Sequence, residues 1–275
     1  VNTFDQSAPI AQSAPLVLPP ARLPASAIFT DSFVIAKRNL LFIIRTPQLL
    51  VFSTIQPVMF VLLFRFVFGG AINVPTESYA SYLLPGVFVQ TVVFGSTTAA
   101  VALASDLRAG IIDRFRSLPM ARSAVLAGRT AADAVRNLFV ISLMIVVGYA
   151  VDFRFQGGLL SALGAMGIAL LFGYAFSWFF ALVGLLVRDP ETAQVAGFVP
   201  LFPLVFASSI FVSTETMPSW LQTFAENQPV TRVTNAVRGL SLGTATTSDV
   251  VIALLWIGAM LLVFAPLATW RYRKG

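Results

Sequence analysis

The chain has 275 residues, 57% of them hydrophobic and only 11% charged, with a mean hydropathy of +0.84; soluble domains carry about 25% charged residues, so a soluble enzyme is set aside. It has no Cys and no His, which excludes disulfides and thiolate metal sites and removes the commonest general base and metal ligand. The net charge of +6 and pI near 10.3 would fit a nucleic-acid partner, but the placement of the charges gives a different reason.

Residues 1–25 are rich in Ala, Pro and Ser without periodicity and read as a disordered tail. The tail lacks the basic start and apolar core of a secretory signal, so it is expected on the cytoplasmic side. Residues 26–46 follow a helical pattern. Phe29, Phe33, Ala36, Leu40 and Ile43 form one stripe, and Asp31, Arg38 and Arg45 lie opposite. Such a helix lies in a membrane interface, or packs as an ordinary cytoplasmic helix on its neighbours. Pro47 marks a bend after it.

Six apolar runs follow, over 49–68, 82–104, 134–151, 159–187, 195–212 and 250–270. Each approaches the ~20 residues that span a bilayer as helix. With the N-terminus inside, the inner segments carry Arg22, Lys37, Arg38, Arg45, Arg108, Arg114, Arg116, Arg122, Arg129, Arg136, Arg188, Arg271, Arg273 and Lys274. The outer segments carry only Arg154, Arg232 and Arg238, and Arg65 sits near the outer end of the first run. The positive-inside rule then places both termini in the cytoplasm and accounts for the basic pI without nucleic acid.

Pro57, Pro85, Pro200 and Pro203 fall in or near these runs and should kink them. No Asp or Glu is expected deep in any span, where ion-coupled carriers usually keep ionisable groups. The core polar residues are Gln56, Gln90 and several Ser and Thr. Gln56 and Gln90 either join helices through hydrogen bonds or line a substrate path together with Phe94. Lys37 and Lys274 are the only lysines and neither lies in a phosphate-binding loop pattern. No catalytic dyad, triad or metal cluster is visible, so no enzyme activity is expected. A transporter built this way needs a motor on another chain.

Between the second and third runs, residues 105–118 read as a helix ending at Pro119. Leu107, Ile111, Phe115 and Leu118 share one face, with Ile112 flanking; Asp106, Asp113, Arg116 and Ser117 share the other. The pattern alone fits equally a docking helix and a solvated basic loop. The segment Arg188–Gln194 (RDPETAQ) is either a tight turn or a second contact surface. In 214–249, Met217, Trp220, Leu221 and Phe224 make one apolar stripe, and Val230, Val233, Val237 and Leu240 another. The break at Asn227-Gln228-Pro229 makes this a hairpin dipping into the outer face, or a surface cap.

The stretch "RAGIIDRFRSLPMARSAVLAGR" resembles the signature of the ABC type-2 permease family at Arg108, Gly110, Arg114, Arg116, Ser117, Pro119, Arg122, Gly128 and Arg129. "YLLPG" (82–86) resembles the family's opening of the second span, and "NQPVTRVTNAVRGL" (227–240) its Asn-x-Pro…Arg segment before the last span. The order and topology are most similar to the daunorubicin/doxorubicin-resistance branch.

The resemblance implies an all-α integral membrane protein of six transmembrane helices over 47–275. It adds an N-terminal interfacial helix, a cytoplasmic coupling helix and outer re-entrant helices before the last span. It implies a bacterial plasma-membrane exporter of drugs or antibiotics, or of lipid or polysaccharide. This would be a permease dimer served by two separate ATP-binding cassette subunits, with ATP and Mg on those subunits and no cofactor or metal on this chain. By that similarity Asp106, Arg108, Asp113, Arg114 and Arg116 would meet the ATPase, with Arg188, Asp189 and Glu191 as a second contact.

Overall fold

The computed structural model describes residues 25–70, 76, 78–112 and 122–274, and among these the regular structure is helical, with no strand. In chain order the helices are α1 (Ala25–Arg45), α2 (Pro47–Leu63), α3 (Tyr79–Arg108), α4 (Arg122–Ala150), α5 (Gly158–Val187), α6 (Pro190–Phe206), α7 (Ser219–Asn227), α8 (Pro229–Leu242) and α9 (Thr247–Lys274). A π-helical turn, Phe64–Phe68, extends α2. Residues 1–24 of the expected tail lie outside the described residues.

Among the described residues, four stretches are long and apolar enough to cross a membrane: α3, residues 124–150 of α4, α5 and residues 247–272 of α9. Residues 53–68 form a shorter apolar helix. The chain is a multi-pass membrane protein. Its long helices leave Leu160, Leu262, Leu255 and Val263 exposed, as lipid-facing side chains require. Trp270 is also exposed, and the Lys274 ammonium lies 4.1 Å from its ring centre, an arrangement suited to a membrane boundary.

Three expected boundaries are corrected. The third run becomes helix at Arg122, well before Ala134, because the apolar stripe continues through Ala124, Val125 and Leu126, all buried. The fifth run leaves helix at Phe206, short of Val212; Pro200 and Pro203 lie inside α6 and residues 207–213 pass in turns. The helix expected to begin at residue 105 does not begin there. Residues 105–108 are the last turn of α3, which stops at Ala109 and is followed by Gly110 at φ +68°. This left-handed residue after a helix end is where glycine costs least.

α3 sits at the centre, buried along most of its length and packed most widely on α5, with α4, α6 and α8 around it. Lipid gives helices little hydrophobic reason to associate, so close backbone approach and interhelical hydrogen bonds hold them. A Cβ on Gly86 would lie 2.8 Å from the Ile210 carbonyl oxygen, and one on Gly184 would lie 3.0 Å from the Ala100 Cα. Ser96 Oγ donates to the Gly173 carbonyl at 2.8 Å, tying α3 to α5.

α1 lies along α4. A Cβ on Gly128 would stand 2.8 Å from the Cβ of Ile35, and Ile35 is buried. Of the sequence stripe, Phe33 is exposed while Ala36 and Leu40 are half-buried, and Val34, Leu41 and Ile44 beside it are exposed as well. The helix turns its Ser32–Ile35 side to α4 and leaves an apolar face uncovered.

α7 and α8 are the two short helices expected around the break at Gln228. Their stripes differ in fate. Val230, Val233 and Val237 are fully buried, whereas Trp220 and Phe224 are exposed.

Candidate functional site

Ion pairs cluster at the end of the bundle that holds Arg108, Arg129 and Arg188. Asp106, in the last turn of α3, accepts from Arg129 Nη1 of α4, and Arg38 of α1 stands 4.0 Å away. Arg108 Nη1 lies 3.4 Å from Asp189 Oδ1, bridging the end of α3 to the start of α6. Ile112 is buried in a cluster with Leu103, Leu126, Trp178, Leu185 and Tyr272, so part of the expected apolar face does pack on the helix ends.

Asp189 is the N-cap of α6. It accepts from Thr192 N at 2.9 Å and Thr192 Oγ1 at 2.8 Å, and these bonds hold its carboxyl below its usual range. A carboxylate lowered in this way gives its support above the ordinary carboxylate pKa and loses it as pH falls through the lowered value. Arg188 takes the left-handed position that ends α5 (φ +62°). Residues 188–189 are thus a tight turn between two helices, with Arg188 and, in the first turn of α6, Glu191 exposed. Asp113, Arg114 and Arg116 lie outside the described residues. Asp106, expected to face a partner, instead turns inward to Arg129.

A cavity of about 530 Å³ opens between α2, α3, α4 and α6, with Asn39 of α1 at its edge. Gln56 of α2 and Gln90 and Phe94 of α3 all line it. On α3 its wall runs Gln90, Phe94, Thr97/Thr98, Val101; on α4 it runs Arg129, Asp133, Arg136/Asn137, Val140. Both are single helix faces at i, i+4, i+7 spacing. α6 supplies Gln194 and Phe198, whose ring centre is 5.7 Å from that of Phe94. The volume is that of a drug-sized ligand site.

The charged residues here correct a second expectation. Asp133 and Arg136 are both buried, within the span 124–150. Arg136 donates to Thr98 Oγ1, to the Gly95 carbonyl at 2.6 Å and to Asn137 Oδ1 at 3.4 Å. A Cβ on Gly95 would come within 2.6 Å of Asn137 Oδ1, so glycine makes the room this cluster occupies. Starting the span at Ala134 hid Asp133. The polar repeat Arg129, Asp133, Arg136/Asn137 on one helical face was the available signal.

At the opposite end, Arg238 of α8 is buried although counted above among outer charges. Its Nε donates to the Tyr82 carbonyl at 3.0 Å and its Nη2 to the Ser209 carbonyl at 2.6 Å. Its guanidinium carbon lies 3.7 Å from the Tyr82 ring centre. Tyr79 and Tyr82 hydroxyls donate to the Phe211 and Ser209 carbonyls at 3.0 Å each, and Gln228 Nε2 to Leu204 and Ala207 at 2.6 and 2.9 Å. Carbonyls of the irregular segment 207–213 find their donors in these side chains. Buried non-helical backbone needs such donors.

The three resembling motifs therefore have physical roles. Gly110 ends α3, Gly128 admits α1, Arg129 holds Asp106, Gly86 admits residue 210, and Arg238 serves the carbonyls after α6.

A family model described as "ABC-2 type transporter" matches residues 30–242. The chain is 34% identical to the daunorubicin resistance ABC transporter permease protein DrrB1 of Streptomyces coeruleorubidus, over 99% of this chain and 97% of that one. It is 27% identical to the probable doxorubicin resistance ABC transporter permease protein DrrC of Mycobacterium tuberculosis, over 95% and 97%. The putative transport permease ycf38 of Cyanophora paradoxa is 26% identical over 76% of this chain and 73% of its own. Membership is thus carried by nearly the whole chain and agrees with the motifs whose contacts are described above: this protein belongs to the ABC-2 type transporter family.

Proposed function

We propose that the chain is the permease subunit of an ATP-driven exporter that moves hydrophobic or amphipathic compounds out across a bacterial plasma membrane. The compound is a drug or antibiotic, with lipid as the nearest other class. The observation that carries this reading is the convergence of Gln56, Gln90 and Phe94 on one cavity between helices of an ABC-2 family member. The names of the daunorubicin and doxorubicin resistance relatives support a drug-like cargo.

In this reading the end bearing Arg108, Arg129 and Arg188 faces the cytoplasm, together with both termini. The chain crosses six times, through α2 with its π turn, α3, α4, α5, α6 with residues 207–213, and α9. α7 and α8 re-enter from outside: α8 is sunk in the protein, and exposed Trp220 and Phe224 of α7 meet lipid. α1 lies in the inner interface with its uncovered apolar face toward acyl chains.

Two ATP-binding subunits, holding ATP and Mg, serve a dimer of permeases. They grip residues 105–118, with Arg108, Asp113, Arg114 and Arg116 outward, and touch Arg188, Asp189 and Glu191. Closure of the cassettes moves this segment. The Arg129–Asp106 and Arg108–Asp189 pairs pass the motion to α3, α4 and α6, which are three walls of the cavity. The cavity then opens outward. This chain performs no hydrolysis itself.

Buried Asp133 favours one rival, an ion-coupled carrier without a motor. Efflux from cells treated with ionophores, against cells depleted of ATP with ion gradients clamped, separates the two. Export that survives ionophores and stops without ATP supports the exporter; the reverse supports the carrier.

A further inference from the structure

We propose that the exposed face of α1 binds anionic phospholipids of the leaflet at the charged end of the bundle, and that Lys37 and Arg45 select their headgroups. This rests on the interfacial placement of α1 and adds the class of lipid met there.

The face carries both halves of an amphiphile. Phe33, Val34, Leu41 and Ile44 are exposed, and so are Lys37 and Arg45. At 3.6 residues per turn these six fall within about 120° of arc, with Lys37 between Ile44 and Leu41. The packed side is another one: Ile35 is buried against Gly128 of α4. Neither Lys37 nor Arg45 has an ion-pair or hydrogen-bond partner among the described residues. Arg38, at the edge of the arc, is not counted with them, because it reaches Asp106 at 4.0 Å and Asn39 Oδ1 at 3.4 Å. Asp31, the one acid of α1, is half-buried. The face therefore holds two unpaired positive charges and no exposed acid.

Charge complementarity chooses the occupant. Large apolar side chains interleaved with cations fit acyl chains beneath a layer of phosphates. In that setting the Lys37 stem runs along the apolar arc and its ammonium reaches up to the headgroups. A zwitterionic leaflet would cover the apolar residues but bring no net charge to the cations. An anionic one does both, and each basic residue near its surface adds about fivefold in affinity. Lys37 and Arg45 are eight residues apart, about 12 Å along the axis, so each meets a headgroup of its own. A second copy packed two-fold through this face would bring the same cations toward each other, which disfavours it.

The test uses the full chain in bilayers. The chain has no cysteine, so Val34→Cys carries a single bimane label on this face, and brominated acyl chains quench that label on contact. Quenching by brominated phosphatidylglycerol against brominated phosphatidylcholine gives the relative affinity of the two lipids at α1. The expected result is a preference of about fivefold or more for phosphatidylglycerol, shrinking in ~1 M salt. Lys37→Gln with Arg45→Gln should bring it within about twofold of parity, whereas Lys37→Arg with Arg45→Lys should keep it. Quenching by either lipid in a variant certifies that its α1 is still in place. Three results overturn the anionic assignment and leave the interfacial placement standing: equal quenching by both lipids in the labelled starting protein, a preference that survives Lys37→Gln with Arg45→Gln, or one lost in the conservative pair as well. A label quenched by neither lipid means that protein covers the face, and then both fall.

Discussion

Arg129, near the start of α4, donates directly to the carboxylate of Asp106 in the last turn of α3. Between them in sequence lies the whole charged segment proposed to meet the ATPase. The pair therefore closes the base of that segment and ties both neighbouring spans to it. Both side chains are largely buried, so the pair is not an incidental surface contact.

Breaking it should cost stability as well as coupling. Arg129→Gln is expected to lower stability by about 2 kcal/mol, the scale of a hydrogen bond to a charged group. Adding Asp106→Asn should cost little more, because the interaction is already gone. Unfolding of the purified protein by SDS titration reads both, and additive losses would show that the two residues act apart.

Arg238→Lys should fail to replace the arginine. A lysine cannot serve the Tyr82 and Ser209 carbonyls together or stack flat on the Tyr82 ring. The loss of a buried, charged donor to two carbonyls is expected at about 2–4 kcal/mol. Thermal melting should show the drop, and a fully stable Lys variant would contradict the role assigned to Arg238.

The glycines give a graded test. Gly86→Ala meets the Ile210 carbonyl and Gly128→Ala meets Ile35; each should cost about 1–3 kcal/mol by overpacking. Gly167 has nothing within 4 Å of its Cβ position, so Gly167→Ala should be neutral or slightly stabilising in a helix, by up to about 1 kcal/mol. Gly110 also has open space, but its φ of +68° makes Gly110→Ala cost about 1–2 kcal/mol. Melting temperatures of the four variants rank them.

Gln90→Leu should change which compounds are exported while leaving expression intact. It removes a polar group from the cavity and leaves the helix contacts apolar. Accumulation assays with a panel of dyes check this. Unchanged transport of every member would reduce Gln90 to a structural residue.

Much of this architecture is readable in the sequence, because hydrophobic run length and arginine placement report directly on membrane-spanning helix. The break at Gln228 and the helical prolines follow from the same patterns, whereas Gln56 and Gln90 read as helix-joining or path-lining residues alike until the structure sets them with Phe94 around one cavity. What was not readable depends on contact between distant segments. Arg238 reads as an outer charge until the carbonyls of 207–213 are seen to need it. Asp133 reads as a loop residue until α4 is seen to start at Arg122. Asp106 reads as outward-facing because a helical wheel knows nothing of Arg129, and Ile35, which lies outside the apolar stripe of α1, is not singled out until the groove at Gly128 of α4 is seen to receive it.

The central claim is that a separate ATPase drives this chain through the segment containing Arg114 and Arg116. Affinity purification from native membranes with quantitative mass spectrometry tests it most directly, comparing the unaltered chain with Arg114→Glu/Arg116→Glu. The account predicts a P-loop ATPase at equal stoichiometry with the unaltered chain and its loss from the charge-reversed one, with membrane insertion unchanged. The same ATPase recovered equally with both, or none with either under conditions that keep other ABC complexes intact, would contradict it.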